Sequence, residues 1–452
     1  MTSTYDSISP VDYRYKVEAV ARLLSDAAFL QNKMQIELAI VKALHKLGKC
    51  EKDVVDDFTQ AITHVTPEEV AELERTTGHD IVAMTECIKR RLRPENAQFL
   101  HRFATSYDIV ETARAVQFRD VTDTVFIPAV NALIKTLCTV IRREAETLQI
   151  GRSHGQAGLP IMFGFALAWY LERLGMCRDR VYAVTPSLIG KFSGAMGGYN
   201  ALAYFGVDAK EFEKLVLAQV GVKPGNIATQ IVTPEPMKWL LEGMCDTAGV
   251  IANMARDFRC LQRSEIDEIH EPRGKGGHGS STMKGKRNPV KCENIESIWT
   301  ILFGLRTTLQ FDQISEHQRD LTGSARTRTY PEIVNYVIYM LQQMNMIIEG
   351  MEVNRDAMRQ NVLRHSGVVV GEPLYLILGE LGHPDAPNVS KELCFRARDE
   401  GTTPIALMRA DSAYAGYLER MDEGQLRILE HPEEYTGLCR AQALEIAGKY
   451  DK

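Results

Sequence analysis

The chain has 452 residues, with 53 Lys and Arg against 59 Asp and Glu, a formal charge of −6 and 45% hydrophobic residues. That length and apolar content build a large core in two or three domains, and the mild acidic excess speaks against a nucleic-acid or anionic-membrane partner. Nine scattered cysteines without a Cys-x-x-Cys pair, and a start from Met1 to Asp6 that is neither basic nor apolar, predict free thiols in a cytoplasmic protein.

Along the chain the pattern is helical. Apolar stripes at helical spacing run through Val130, Leu133, Ile134, Leu137, Val140 and Ile141, and through Met237, Leu240, Leu241, Met244, Ala248 and Ile251. Two more follow, at Ile295, Ile298, Leu302, Leu305 and Leu309, then at Ile333, Val334, Val337, Leu341, Met344 and Ile348. They predict four long amphipathic helices paired in an elongated bundle, the first only kinked by Pro128. The longest stretch without Asp, Glu, Lys or Arg, 153–171, is interrupted by His154, Gln156 and Pro160 and falls short of a membrane span. Gly158-Leu-Pro160 precedes an apolar helix to about Arg180, 222–225 leads toward another, and Pro234 with Pro236 starts the next. The expected division is an N-terminal helical domain at 1–104, a long-helix bundle at 105–352 and a C-terminal helical domain at 353–452.

The stretch 268–289 breaks the pattern. It holds five glycines and five Lys or Arg residues, and its only large apolar residues are Ile269 and Met283. It reads as a long mobile loop, of the kind that serves as a lid or binding loop. Its Gly274-Lys-Gly276-Gly277-His-Gly279 fits a dinucleotide-binding spacing, but no strand precedes it and no βαβ unit surrounds it. Gly285-Lys286 is followed by Arg287, not Ser or Thr, which excludes a P-loop, and no histidine pair has metal-ligand spacing.

The run Gly279-Ser-Ser-Thr-Met-Lys-Gly-Lys-Arg-Asn-Pro289 resembles the signature loop of the fumarase/aspartase superfamily, with Lys284 in place of its proline. Further segments resemble the adenylosuccinate lyase branch. They are Arg14-Tyr15, Thr77-Gly-His79-Asp80, Thr105-Ser106-Tyr-Asp108, Gly151-Arg-Ser153-His154-Gly-Gln, Thr229-Gln230 and the Arg319, Ser324, Arg328 spacing. The resemblance implies an all-α, three-domain fold. Its central long helices would form a twenty-helix core in a homotetramer, with active sites shared between subunits. It also implies elimination of fumarate from adenylosuccinate and from the succinylated carboxamide ribotide (SAICAR), a small-molecule substrate, and no metal or organic cofactor.

By that resemblance, Ser280 is the base and His154 the acid, with Ser281 a neighbouring oxyanion donor. Arg14, Tyr15, His79, Asp80, Thr105, Ser106, Ser153, Gln230, Lys286, Asn288, Arg319, Ser324 and Arg328 bind substrate, and Glu293 supports the loop. The chemistry asks for such types. Expelling an amine β to a carboxylate requires a base for the Cβ proton, stabilisation of the aci-carboxylate and an acid for the departing nitrogen. A serine can be the base where backbone N–H groups and a lysine stabilise its alkoxide, histidine titrates near working pH, and arginine forks suit carboxylates and phosphate. Tyr107 and Gln318 depart from the family pattern, as does the stretch 157–159 after Gly-Gln. Two alternatives stay open: another superfamily lyase or cycloisomerase with a non-nucleotide succinyl or carboxymuconate substrate, and a catalytically silent helical scaffold.

Overall fold

The computed structural model describes residues 7–272, 282–283 and 285–451. Ser280, Ser281 and Lys284 therefore lie outside the described residues. The described residues are overwhelmingly helical, with three two-stranded sheets among them. The four stripes lie on the long helices Ile127–Arg143, Glu235–Leu261, Val290–Thr308 and Tyr330–Gly350, except that Leu309 opens the 3-10 helix Leu309–Gln313. Most of their apolar positions are buried, including Val130, Leu133, Leu240, Met244, Ile295, Leu302, Ile333 and Met344 at 0% exposure, while Met237 and Leu305 are half-buried.

Pro128 does not end its helix. Helix Ser106–Arg143 runs through it, with a π turn at Thr122–Phe126 just upstream, where the missing proline N–H would otherwise leave a carbonyl unmet. By length and composition alone this helix is apolar enough to cross a membrane. The charge-free 153–171 stretch did not point to it, because Lys135 and other polar residues punctuate it on the exposed side while Leu137, Cys138 and Ile141 are fully buried.

The chain forms two compact units. The first comprises Met1–Val130, Cys177–Gly249 and Ile298–Leu341. Its core joins Met34, Ile40 and Phe58 to Met84, Ile109, Phe192 and Phe212, so the N-terminal helices share one core with residues far along the chain. Helix Pro67–Thr77 begins with Thr66 as cap and Pro67 in its first turn, and stops at Gly78, whose φ of 66° suits glycine. The next residue, His79, caps helix Asp80–Lys89.

The second unit comprises Asn131–Met176, Val250–Ser297 and Gln342–Lys452. It contains an antiparallel hairpin, Leu148–Ser153 with Gln156–Met162, where helical periodicity gave no strand. Ile150 of the hairpin packs with Val362 and Val369, and a separate core gathers Leu374, Leu378, Leu393, Met408 and Leu429.

Candidate active site

In the first unit, the expected residues converge on the start of helix Ser106–Val121. Asp108 reaches back to the Thr105 N–H at 2.8 Å, closing a capping box that fixes the Thr105-Ser106 turn. Asp108 is fully buried, and Lys191, 1% exposed, donates to it at 2.5 Å. The Ser193 and Gly194 N–H groups donate to it as well. Lys191 also donates to the Gly194 carbonyl, so both charges of this buried pair are matched by hydrogen bonds. The loop it holds then passes close to another expected segment. Gly197, at φ 78°, lies so near Ala228 that a Cβ would fall 1.9 Å from the Ala228 carbonyl oxygen.

His79 stands beside the turn. Its Nδ1 accepts the Ile81 N–H at 3.2 Å, which leaves the ring proton on Nε2, 3.4 Å from Ser106 Oγ. Asp80 pairs with Lys33 at 2.7 Å. Burial pushes the Asp80 carboxyl up, but the charge and hydrogen bond of Lys33 outweigh it and hold the group below the ordinary aspartate value. Tyr107, a departure from the family pattern, supports Arg319: its hydroxyl accepts from Arg319 at 3.1 Å, and the guanidinium lies 4.9 Å from its ring centre. Gln230 joins the same cluster through its N–H on the Gln318 carbonyl at 3.3 Å.

A cavity adjoins Arg319 and is also lined by Arg114, Asp312 and Arg326. Arg114 bridges Glu111 and Thr327, and Arg326 pairs with Asp312 at 3.1 Å. Burial raises the Asp312 carboxyl above its ordinary value despite Arg326. Ser324 and Arg328 are exposed, on and just after the short helix Ser324–Thr327, and among the described residues no hydrogen bond joins them to the Tyr107–Arg319 pair. The Arg14-Tyr15 segment is held elsewhere in the unit. Asn335 donates to the Tyr15 carbonyl and accepts the Val17 N–H, both at 2.9 Å, and the Tyr15 ring meets Tyr339 edge-on.

In the second unit, Ser153 and His154 sit at the hairpin tip. His154 and Gly155 form a two-residue turn with φ of 55° and 73°, the positive values a tight hairpin requires, so His154 is presented to solvent. The strand behind the tip is anchored on Glu268, fully buried, which accepts from Arg152 at 2.5 and 3.2 Å and from Gln149 and Asn361 at 2.9 Å each. Glu268 opens the 268–289 stretch. Ile269–His270 then pairs with Glu352–Val353, and Glu271 accepts the Lys291 and Cys292 N–H groups at the start of helix Val290–Thr308. Burial, reinforced by Glu271, pushes the Cys292 thiol up. At the far end of the loop Lys286 is exposed, Arg287 pairs with Glu352 at 2.7 Å, Asn288 is half-buried and Glu293 is exposed in the first helical turn.

Sequence reasoning missed Lys33, Lys191 and Glu268, each of which acts from a distant point in the chain, and it marked Tyr107 only as a departure from the family pattern. Charged residues inside apolar segments, such as Lys191 before Phe192, were the one available signal. Among the described residues no group of His, Cys, Asp and Glu could hold a metal ion.

A family model described as lyase matches residues 11–304. The chain is 31% identical to an adenylosuccinate lyase of Pyrococcus abyssi, over 96% of each chain. It is 30% identical, with the same coverage, to one of Archaeoglobus fulgidus. Among solved structures, a 3-carboxy-cis,cis-muconate lactonizing enzyme of Pseudomonas putida is similar with a TM-score of 0.86 and 25% identity, over 97% of this chain and 98% of that one. A fumarate lyase of Mesorhizobium sp. BNC1 shares the fold, with a TM-score of 0.86 and 23% identity over 96% and 98%. The matched length and the breadth of these likenesses place the chain, an enzyme with a small-molecule substrate, in the lyase family to which the adenylosuccinate lyases belong.

Proposed function

We propose that this enzyme cleaves adenylosuccinate to AMP and fumarate, and SAICAR to AICAR and fumarate, in purine nucleotide synthesis. The observation that carries the reading is its likeness to adenylosuccinate lyases along nearly the whole of both chains. In the reaction, Ser280 removes the Cβ proton of the succinyl group, and the electron pair moves into the adjacent carboxylate. As the C–N bond breaks and the fumarate double bond forms, His154 gives its proton to the departing nitrogen. Its position on a strained turn at a hairpin tip suits a group that must reach into a site. Ser281, Lys286 and Asn288 stabilise the developing anion, supported by Glu293.

His79, Asp80, Thr105, Ser106, Gln230, Arg319, Ser324 and Arg328 bind the substrate, and Arg14 and Tyr15 help hold its phosphate. Ser153 lines the acid's side. The enzyme works as a cytoplasmic homotetramer whose active sites combine residues of several subunits. Large exposed apolar groups support that assembly, among them Trp169 and Tyr182 on helix Phe163–Val184, Trp239 on Glu235–Leu261 and Phe303 on Val290–Thr308, at 63%, 68%, 45% and 59% exposure. Purified protein mixed with adenylosuccinate should release AMP and fumarate, followed by absorbance, and Ser280→Ala should abolish turnover; a folded wild-type protein that leaves adenylosuccinate intact would refute the reading.

The likeness to the muconate lactonizing enzyme favours a second reading, action on a carboxymuconate-type substrate. Arg14 separates the two: Arg14→Ala should raise KM for adenylosuccinate if the substrate carries a phosphate, and turnover of a carboxymuconate alone would favour the rival.

A further inference from the structure

We propose that Glu268 is a positioning residue for the reaction, holding the His154 hairpin and the root of the 268–289 loop in fixed register through one buried carboxylate. The inference rests on His154 serving as the acid of a lyase reaction. Both Glu268 oxygens are engaged. Oε1 accepts from Arg152 Nη2 and Asn361, while Oε2 accepts from Gln149 and Arg152 Nη1. Its main chain is held as well, with its N–H on the Leu261 carbonyl at 3.0 Å and its own carbonyl accepting the Asn354 N–H at 2.9 Å.

Arg152 and Gln149 both belong to the first hairpin strand, and Arg152 lies two residues before His154. A guanidinium fork on a carboxylate constrains direction as well as distance. The tip beyond it is exposed and lacks apolar packing of its own, so the aim of His154 depends on the anchored strand. On the other side, only Ile269 and His270 separate Glu268 from Glu271, which holds the N-terminus of the helix that closes the loop. Buried ion pairs contribute little net stability compared with apolar packing. A four-donor carboxylate at this junction is better accounted for by the geometry it imposes. Misplacing a reacting group by about 1 Å can lower a rate about 10²-fold.

The test uses full-length Glu268→Gln, which keeps the shape and removes the charge, alongside Arg152→Lys, which keeps the charge and removes the fork. With adenylosuccinate, Glu268→Gln should lower kcat about tenfold or more while KM stays within about threefold. Arg152→Lys should lower kcat in the same manner by a smaller factor. Folded variants with unchanged kcat overturn the proposal, as does a loss of kcat that only tracks the folded fraction or that comes with an equal rise in KM. Hydrogen exchange read by mass spectrometry needs no turnover: Glu268→Gln should raise exchange in peptides covering 148–162 and 262–272 together. A rise confined to either peptide overturns the coupling. A wild-type enzyme inactive on adenylosuccinate but showing the joint rise would refute the assigned substrate and sustain the role of Glu268.

Discussion

Asp108 and Glu268 are both fully buried carboxylates, each matched by one cation, yet they hold different kinds of structure. Asp108 fixes a helix start: besides Lys191 its donors are backbone N–H groups at 105, 193 and 194, which have few other ways to be satisfied. Glu268 fixes a hairpin and a loop root, and its donors are all side chains, from Arg152, Gln149 and Asn361. Backbone donors make the Thr105-Ser106 turn a consequence of folding itself, whereas side-chain donors leave the hairpin aim adjustable by substitution. The first arrangement suits residues that bind, and the second suits a group that must be aimed.

The comparison can be broken or sharpened by experiment. Asp108→Ala should have the largest effect, because it strands a buried ammonium and three N–H groups, with a loss of about 3–5 kcal/mol in denaturant-derived stability. A loss below about 1 kcal/mol would remove the contrast between the two carboxylates. His154→Ala should leave stability nearly unchanged, since the side chain is exposed, while turnover falls on the order of 10²-fold. Near-wild-type turnover would mean that the hairpin does not present the acid.

Tyr107→Phe keeps the ring under Arg319 and removes only the hydroxyl, so about 1 kcal/mol is expected, read as a roughly fivefold rise in KM with kcat retained. An unchanged KM would show that the hydroxyl does not orient Arg319 for substrate. The smallest effect concerns His101, in the loop just before the turn, which donates to buried Glu37 at 2.7 Å. Burial lowers its pKa, but the hydrogen bond and charge of Glu37, with that of Asp108, outweigh burial and leave it above 6.5. The protonated ring therefore contributes stability fully below about pH 6.5 and loses it as pH rises through the raised folded value. His101→Gln should flatten that decline in a series of thermal melts above pH 6.5; an identical decline in the variant would assign it to another group.

The long helices were legible because their stripes repeat every three to four residues, a signal that survives without knowledge of partners. The Thr105 turn was legible through its resemblance to family segments, but the reason it holds was not, since Lys191 lies 83 residues from Asp108. The hairpin was hidden for local reasons. Gly158 and Pro160 sit inside its second strand, and its turn uses histidine where asparagine or aspartate would have announced a positive φ. Its anchor was hidden by distance, Glu268 standing 116 residues from Arg152.

Glu271 gives the signature loop a particular kind of independence. By seizing the N–H groups of Lys291 and Cys292, it ties the beginning of the segment to its end, so the two attachment points stay put whatever lies between them. Closing a segment between fixed ends adds only about 0.6 kcal/mol for each doubling of its length. The stretch from Pro272 to Val290 is thus clasped at its base: one carboxylate joins the two ends, and the cost of joining them depends only weakly on how many residues lie between.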